Sequence, residues 1–112
     1  RFRKDPNNRI RGNVIKALFS LGFVDIEDDL LEMINDNSVF MKASALWVIS
    51  QIKLKKRCLE DAAGSCLLSE NEMVRSNALK ALTALDTPRA RGYMKYLEIP
   101  AGFFQYQAES SQ

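Results

Sequence analysis

Three segments of this 112-residue chain repeat one pattern, and that repetition restricts the possible fold more than any other feature. The segments read DPNNRIRGNVIKALFSLG, DNSVFMKASALWVISQIK and SENEMVRSNALKALTALD. Aligned on a basic residue (Arg11, Lys42 and Arg75), they lie 31 and 33 residues apart. Apolar residues recur one position before the basic residue and three, four, seven and ten positions after it, which places them in one stripe along an α-helix. The predicted core residues are therefore Ile10, Val14, Ile15, Leu18, Leu21, Met41, Ala45, Leu46, Ile49, Ile52, Val74, Ala78, Leu79, Leu82 and Leu85.

Further helical segments separate the three repeated helices. Residues 25–34 and 57–68 each have an apolar face, and residues 87–98 begin with a threonine cap followed by a proline. No useful stretch alternates with the period of two that is typical of a strand. Helices that recur at a steady period predict an all-α solenoid of antiparallel hairpins, because each hairpin buries its apolar face only by stacking on the next one.

Local signals mark the ends of the repeated helices. Asp5 before a proline, Asp36, and Ser69 three positions ahead of a glutamate are predicted to cap the three N-termini. Gly22 is predicted to end the first helix in a left-handed conformation. Gly64 weakens its own helix, which indicates close packing against a neighbour.

The segments LLEMINDNSVFMKASALWVISQI and LLSENEMVRSNALKALTAL resemble HEAT repeats and are most similar to the bacterial lyase-like subgroup of that family. The resemblance covers roughly residues 5–86 and implies a right-handed superhelix of about three repeats. It divides the chain into a partial repeat (5–22), two full repeats (24–53 and 57–86), a C-terminal capping helix (87–98) and a tail (99–112). The family's ladder of turn aspartates and basic residues implies a structural role for Asp5, Arg11, Asp36, Lys42 and Arg75, although Ser69 replaces the third aspartate.

The resemblance also places the three repeated helices on the concave side of the superhelix. Helical geometry directs the residue five positions after each basic residue away from the core. In the middle repeat that position is Trp47, and in the first and third repeats it is a lysine. Aromatic side chains flanked by cations are typical of a binding surface. An alternative is that Trp47 packs over an adjacent helix. The predicted partner-binding residues are Trp47, Phe19, Phe40, Lys16 and Lys80, beside small residues at Gly12, Ala43 and Ser76.

The sequence offers little material for catalysis. It contains no histidine and no glycine-rich phosphate loop, and its two cysteines, Cys58 and Cys66, lie too far apart along one helix to form a disulfide. We therefore predict no catalytic, cofactor or metal site. The acidic run of residues 25–36 and the basic run of residues 53–57 are interpreted as solvated surfaces. Unpaired thiols are typical of proteins in the reducing cytoplasm, which is therefore the predicted location. No apolar run is long enough to span a membrane.

These observations predict a protein-interaction scaffold or regulatory module. Its partner would be another chain or another domain of the parent protein, since a first residue of arginine suggests a piece of a longer chain. The alternative is a nucleic-acid-binding domain that uses Arg9, Lys16, Lys80 and Trp47 on the concave face, but a net charge of +2 is low for that role. Phe103, Phe104 and Tyr106 in the tail are predicted to cover the last repeat or to form a docking peptide.

Overall fold

A computed structural model describes residues 2–23 and 25–96, and every regular element in these ranges is helical. A short 3₁₀ helix (Phe2–Lys4) precedes five α-helices: α1 (Asn8–Ser20), α2 (Glu27–Ile34), α3 (Val39–Ile52), α4 (Arg57–Cys66) and α5 (Glu72–Leu85). Residues 88–96 form a further helix, α6. The predicted all-α fold is confirmed for this part of the chain. The tail prediction for residues 99–112 lies outside the described residues.

The three repeated helices begin two residues later than the sequence suggested. In each repeat, an N-cap side chain accepts a hydrogen bond from a backbone N–H in the first turn of the helix. The backbone N–H of that cap donates in turn to the side chain two positions earlier, at 2.8, 2.7 and 3.1 Å. The caps are Asn7, Ser38 and Asn71, and the earlier acceptors are Asp5, Asp36 and Ser69.

The helices pack in two layers. α3 lies between α1 and α5, while α2 and α4 pack against each other and cover α3 and α5 respectively. Ile49 and Leu82 are fully buried between the layers, and Leu18 is partly buried against the same core. The predicted apolar face of α2 is also buried. The largest fully buried side chains are Ile15, Ile26, Leu30, Met33, Leu46, Val48, Ile49, Leu59, Val74, Leu82 and Leu85.

Three predicted core residues are exposed instead. Ile10 is 45%, Leu21 is 76% and Leu79 is 49% exposed, whereas Leu46, the equivalent of Leu79 on α3, is fully buried. Helix α3 has a neighbour from the same row on each side, but α1 and α5 lie at the two ends of the row of described helices. Each end helix loses cover only on its outer side, since Ile15, the equivalent of Leu79 on α1, is fully buried.

Two glycines have the roles that the sequence predicted. Gly22 follows α1 with a φ of +99°, and the N–H of Phe23 donates to the carbonyl of Leu18 at 3.0 Å, which is the Schellman arrangement of a helix end. Gly64 lies against the ring of Tyr93 on α6, and a Cβ added there would come within 2.5 Å of that ring. A side chain at position 64 would therefore separate α4 from α6.

Candidate interaction groove

A groove of about 580 Å³ crosses the faces of α1, α3 and α5 on the side away from α2 and α4. We call it the inner groove. All but one of its lining residues occupy four positions of the repeat: two residues before the aligned basic residue, and one, two and five residues after it. The exception is Asn8, three residues before Arg11. The lining residues are Asn8, Arg9, Gly12, Asn13, Phe40, Ala43, Ser44, Trp47, Met73 and Asn77.

Three large apolar side chains line the inner groove and remain open to solvent. Phe40 is 61% exposed, and Trp47 and Met73 are each 37% exposed. They lie on two adjacent helices, with Phe40 and Trp47 on α3 and Met73 on α5. Apolar groups of this size that stay together at a concave surface are typical of sites that bind another molecule.

Lys16 covers one side of the tryptophan. Its Nζ atom lies 4.9 Å from the centroid of the Trp47 ring, in the range of a cation–π interaction. The half-buried Lys16 belongs to α1 and Trp47 belongs to α3, so this contact joins two of the repeated helices at the rim of the inner groove. The rest of the exposed indole faces solvent.

The floor of the inner groove is built from small residues and tied by side-chain amides. A Cβ added at Gly12 would lie 3.3 Å from Cγ2 of Val48, so α1 and α3 are in close contact there. The side-chain amide of Asn8 donates to the hydroxyl oxygen of Ser44 at 2.7 Å, and that of Asn77 approaches the carbonyl of Ala43 at 3.4 Å. These bonds fix the spacing of the three helices beneath the exposed apolar side chains.

The five predicted partner-binding residues do not all meet at the groove. Trp47 and Phe40 line it, and Lys16 joins it by covering Trp47. Phe19 is partly buried against the core, and Lys80 is exposed on α5 but is not a lining residue. The sequence reasoning missed Asn8, Asn13, Ser44 and Asn77. The recurrence of Asn, Ser and Asn two residues after Arg11, Lys42 and Arg75 was the signal that could have found three of them.

Charge is separated between the two helix layers. Helices α1, α3 and α5 contain six basic side chains and one acidic side chain, whereas α2 and α4 contain six acidic side chains and one basic side chain. The chain's net charge of +2 conceals this division. The basic residues are Arg9, Arg11, Lys16, Lys42, Arg75 and Lys80, and the acidic residue among them is Glu72.

Part of the acidic run 25–36 is paired rather than solvated. Asp29 is buried and binds Arg3. Glu32 accepts from Lys4 and from the buried Arg11, both at 2.6 Å, and these hydrogen bonds hold the pKa of the Glu32 carboxyl below its ordinary value. The interpretation of this run as a solvated surface is therefore wrong for the buried Asp29, while Glu32 is ion-paired but exposed.

The predicted ladder residues have other partners. Within residues 2–23 and 25–96, no ion pair joins an aspartate of the ladder to one of its bases. Arg11 binds Glu32, the ammonium of Lys42 donates to the carbonyl of Ile34 at 2.7 Å, and Arg75 donates to the carbonyls of Ser69 and Glu70 at 2.8 Å. Asp5 and Asp36 instead accept from backbone N–H groups in their own turns. Lys42 thus satisfies a carbonyl at the C-terminal end of α2, where cations are favoured, whereas Arg75 satisfies carbonyls of the turn that precedes α5.

A second polar cluster attaches α6 to α4. Arg89 donates to Asp61 at 2.6 Å, and the Tyr93 hydroxyl donates to the same carboxylate at 2.5 Å. The hydrogen bond from Arg89, followed by that from Tyr93, lowers the pKa of Asp61. The hydroxyl of Thr87 donates to the buried Glu60 nearby. These contacts lie away from the inner groove lining.

The remaining features of the described residues concern the two cysteines, metal-binding groups and membrane-spanning helices. Both cysteines are free and lie on α4, and burial is the main cause that raises the pKa of each thiol. Within residues 2–23 and 25–96, no group of His, Cys, Asp or Glu side chains has the arrangement of a metal site. None of the described helices combines the length and the apolar character needed to cross a bilayer.

Comparison with known proteins gives no family assignment. No protein family matches this chain in sequence, and none of the curated proteins is similar enough to count as a relative.

Proposed function

We propose that this chain is a HEAT-like α-solenoid segment that acts as a non-catalytic protein-interaction module and binds its partner in the inner groove. The observation that supports this most directly is the set of exposed apolar side chains, Phe40, Trp47 and Met73, in a concave surface. A folded chain gains nothing by leaving such groups in contact with water. Their burial by a partner would supply the main favourable free energy of binding.

The repeated turn supports the solenoid part of the proposal. The same two-step cap occurs at Asn7, Ser38 and Asn71, and it starts three helices that lie side by side. Sequence signals that recur at nearly constant spacing are typical of stacked repeats. A rigid row of helices presents its side chains in fixed positions, which lowers the entropy cost of binding.

The composition of the groove supports a non-catalytic role. Its ten lining residues include no carboxylate, thiol or imidazole, and Arg9 is the one charged group among them. General acid–base or nucleophilic catalysis needs groups that exchange protons or attack a substrate. The lining offers a surface for recognition instead. The partner that we propose is a segment of protein that this surface recognises.

The experiment is a selection of peptides from a random displayed library on the full chain, followed by titration of the selected peptides against single variants. Trp47→Ala and Phe40→Ala remove groove side chains, while Leu68→Ala and Tyr96→Ala remove exposed side chains outside the lining. We expect the groove variants to weaken binding at least about tenfold and the controls to leave it unchanged. Equal losses in both sets, or no ligand tighter than about 1 mM, would refute the proposal.

A further inference from the structure

We infer that the partner segment bound in the inner groove is acidic, with carboxylates beside aromatic or large aliphatic side chains. This inference rests on the proposed function and specifies the chemistry of its partner. The supporting observation is the division of charge between the layers, which places six basic side chains and one acidic side chain on the helices that form the groove.

Three of those six cations donate hydrogen bonds to oxygen atoms of the protein itself. Arg11 binds Glu32, Lys42 binds the carbonyl of Ile34 at the end of α2, and Arg75 binds carbonyls of the turn before α5. The other three are Arg9, Lys16 and Lys80. Within residues 2–23 and 25–96, none of these three forms an ion pair with a carboxylate.

The three cations are placed on the groove side of the molecule. Arg9 lines the groove, and Lys16 lies over Trp47 at its rim. Lys80 is exposed and occupies on α5 the same repeat position that Trp47 occupies on α3. A ligand anchored on the tryptophan therefore lies next to Lys16 and in the same groove as Arg9. Carboxylates on such a ligand would be attracted without displacing any existing ion pair.

The surrounding groups also disfavour a basic ligand. Glu72, the single acidic residue of α1, α3 and α5, lies in the first turn of α5 and is not a lining residue. The carboxylates of the other layer face away or are paired, as Asp29 and Glu32 are. Like-charge repulsion would act on a lysine or arginine in the groove, and the lining residues include no acid to compensate it.

A peptide fits this surface better than a nucleic acid. Single-stranded nucleic acids bind along rows of cations that follow the phosphate backbone, with bases stacked on aromatic rings. The ten lining residues include one charged residue and three large apolar side chains. Such a lining favours a peptide that is anchored by apolar side chains and flanked by a few carboxylates. Exposed ion pairs alone contribute little, so the apolar anchors are required for affinity and the charges for selectivity.

The test uses the full chain and a panel of short synthetic peptides of one design, titrated by calorimetry at low salt. The reference peptide has a phenylalanine and a leucine flanked by glutamates. Its relatives replace the glutamates by glutamine or by lysine, or replace both apolar residues by serine. An oligothymidine strand is titrated in parallel.

We expect the glutamate peptide to bind at least about fivefold tighter than the glutamine peptide, with the lysine peptide weaker still. Trp47→Ala should weaken binding at least about tenfold. Arg9→Gln combined with Lys80→Gln should reduce the preference for glutamate over glutamine, whereas Lys95→Gln, an exposed change on α6, should leave it intact. Added salt should reduce the same preference.

The outcomes separate this inference from the proposed function. If the glutamine or lysine peptide binds as tightly as the glutamate peptide and Trp47→Ala still abolishes binding, the inference is wrong and the interaction groove stands. If oligothymidine binds more tightly than every peptide, both are wrong.

Two other occupants of the groove would also overturn the inference. A second copy of the chain is the occupant if sedimentation shows a dimer that Trp47→Ala dissociates. The chain's own C-terminal segment is the occupant if Phe103→Ser with Phe104→Ser raises the affinity for every peptide at least about tenfold, because a tethered competitor has a high effective concentration.

Discussion

The ammonium of Lys16 on α1 lies 4.9 Å from the centre of the Trp47 ring on α3, and this contact joins two equivalent positions of neighbouring repeats. Both residues are five positions after the aligned basic residue of their repeat. The contact leaves Trp47 37% exposed, so the indole is supported by the protein and still open to a ligand. Trp47 is thus partly covered by a side chain of the neighbouring helix, and its exposed part is the surface that the proposed function requires.

Replacing Lys16 by methionine should remove the cation while keeping much of the aliphatic stem. We expect the free energy of unfolding to fall by about 0.5–1 kcal/mol, the usual size of a partly exposed cation–π interaction. Lys80→Met is the matched control, since Lys80 occupies the same repeat position and its side chain is exposed. Urea unfolding followed by circular dichroism measures both. Equal changes in the two variants would contradict the assignment.

Gly64→Ala should destabilise the protein although alanine is the better helix former. The added Cβ would come within 2.5 Å of the Tyr93 ring, and overpacking of this kind costs about 1–3 kcal/mol. Gly92→Ala is the control, because no atom outside its own helix backbone lies within 4 Å of the corresponding Cβ. That change should stabilise helix α6 by up to about 1 kcal/mol. Thermal unfolding of the two variants should therefore shift in opposite directions.

The hydrogen bonds that Asp61 accepts should make the free energy of unfolding depend on pH in the acidic range. Its carboxyl has a pKa below the ordinary value of 3.8 because Arg89 and Tyr93 donate to the charged form. A carboxyl with a lowered folded-state pKa contributes stability above its unfolded-state pKa and loses that contribution as the pH falls through the folded-state value. Asp61→Asn should thus lower stability at neutral pH and have a diminishing effect toward strong acid.

The matched measurement for this cluster is an NMR titration of the Asp61 carboxyl in the wild-type chain and in Tyr93→Phe. Loss of the tyrosine hydroxyl should raise the pKa of Asp61 toward its ordinary value. An unchanged titration curve would show that Tyr93 does not donate to this carboxylate in solution.

Removing one of the repeated N-cap side chains should lower the free energy of unfolding more than removing an asparagine that is not a cap. Asn71 accepts from the N–H of Val74 at 3.1 Å, so Asn71→Ala should reduce the free energy of unfolding by about 1 kcal/mol. Asn37→Ala changes an exposed turn residue beside the equivalent cap and should have little effect. Chemical denaturation of both variants provides the comparison. A larger loss for Asn37→Ala would contradict the assignment of the caps.

Helix positions and the core of the middle repeat could be predicted from the sequence, because periodicity alone fixes which face of a helix is apolar. Periodicity also identified Trp47 and Phe40 as exposed. The prediction failed for Leu79, because periodicity shows which face of a helix is apolar but not whether another helix covers that face. Leu46 has the identical repeat position but lies on α3, which packs between two other helices of its row.

The caps and the groove floor were harder to predict. Asp36 and Ser38 are both good capping residues, and the sequence alone does not decide which of them accepts from the first turn. Asn8 and Ser44 meet across two helices through a hydrogen bond of 2.7 Å, and that pairing depends on the helix spacing. The charge division between layers was present in the sequence, but it becomes visible only when residues are assigned to helices that face opposite sides.

Binding of a ligand in the inner groove, which α1, α3 and α5 form, underlies the proposed function and the further inference. The most direct measurement is an NMR titration of the isotope-labelled full chain with the glutamate peptide, in which the single tryptophan gives one indole N–H signal. We predict that this signal and the side-chain amide signals of Asn13 and Asn77 shift together, while Asn35 at the end of α2 does not. Shifts confined to α2 and α4, with the Trp47 indole unchanged, would contradict binding in the inner groove.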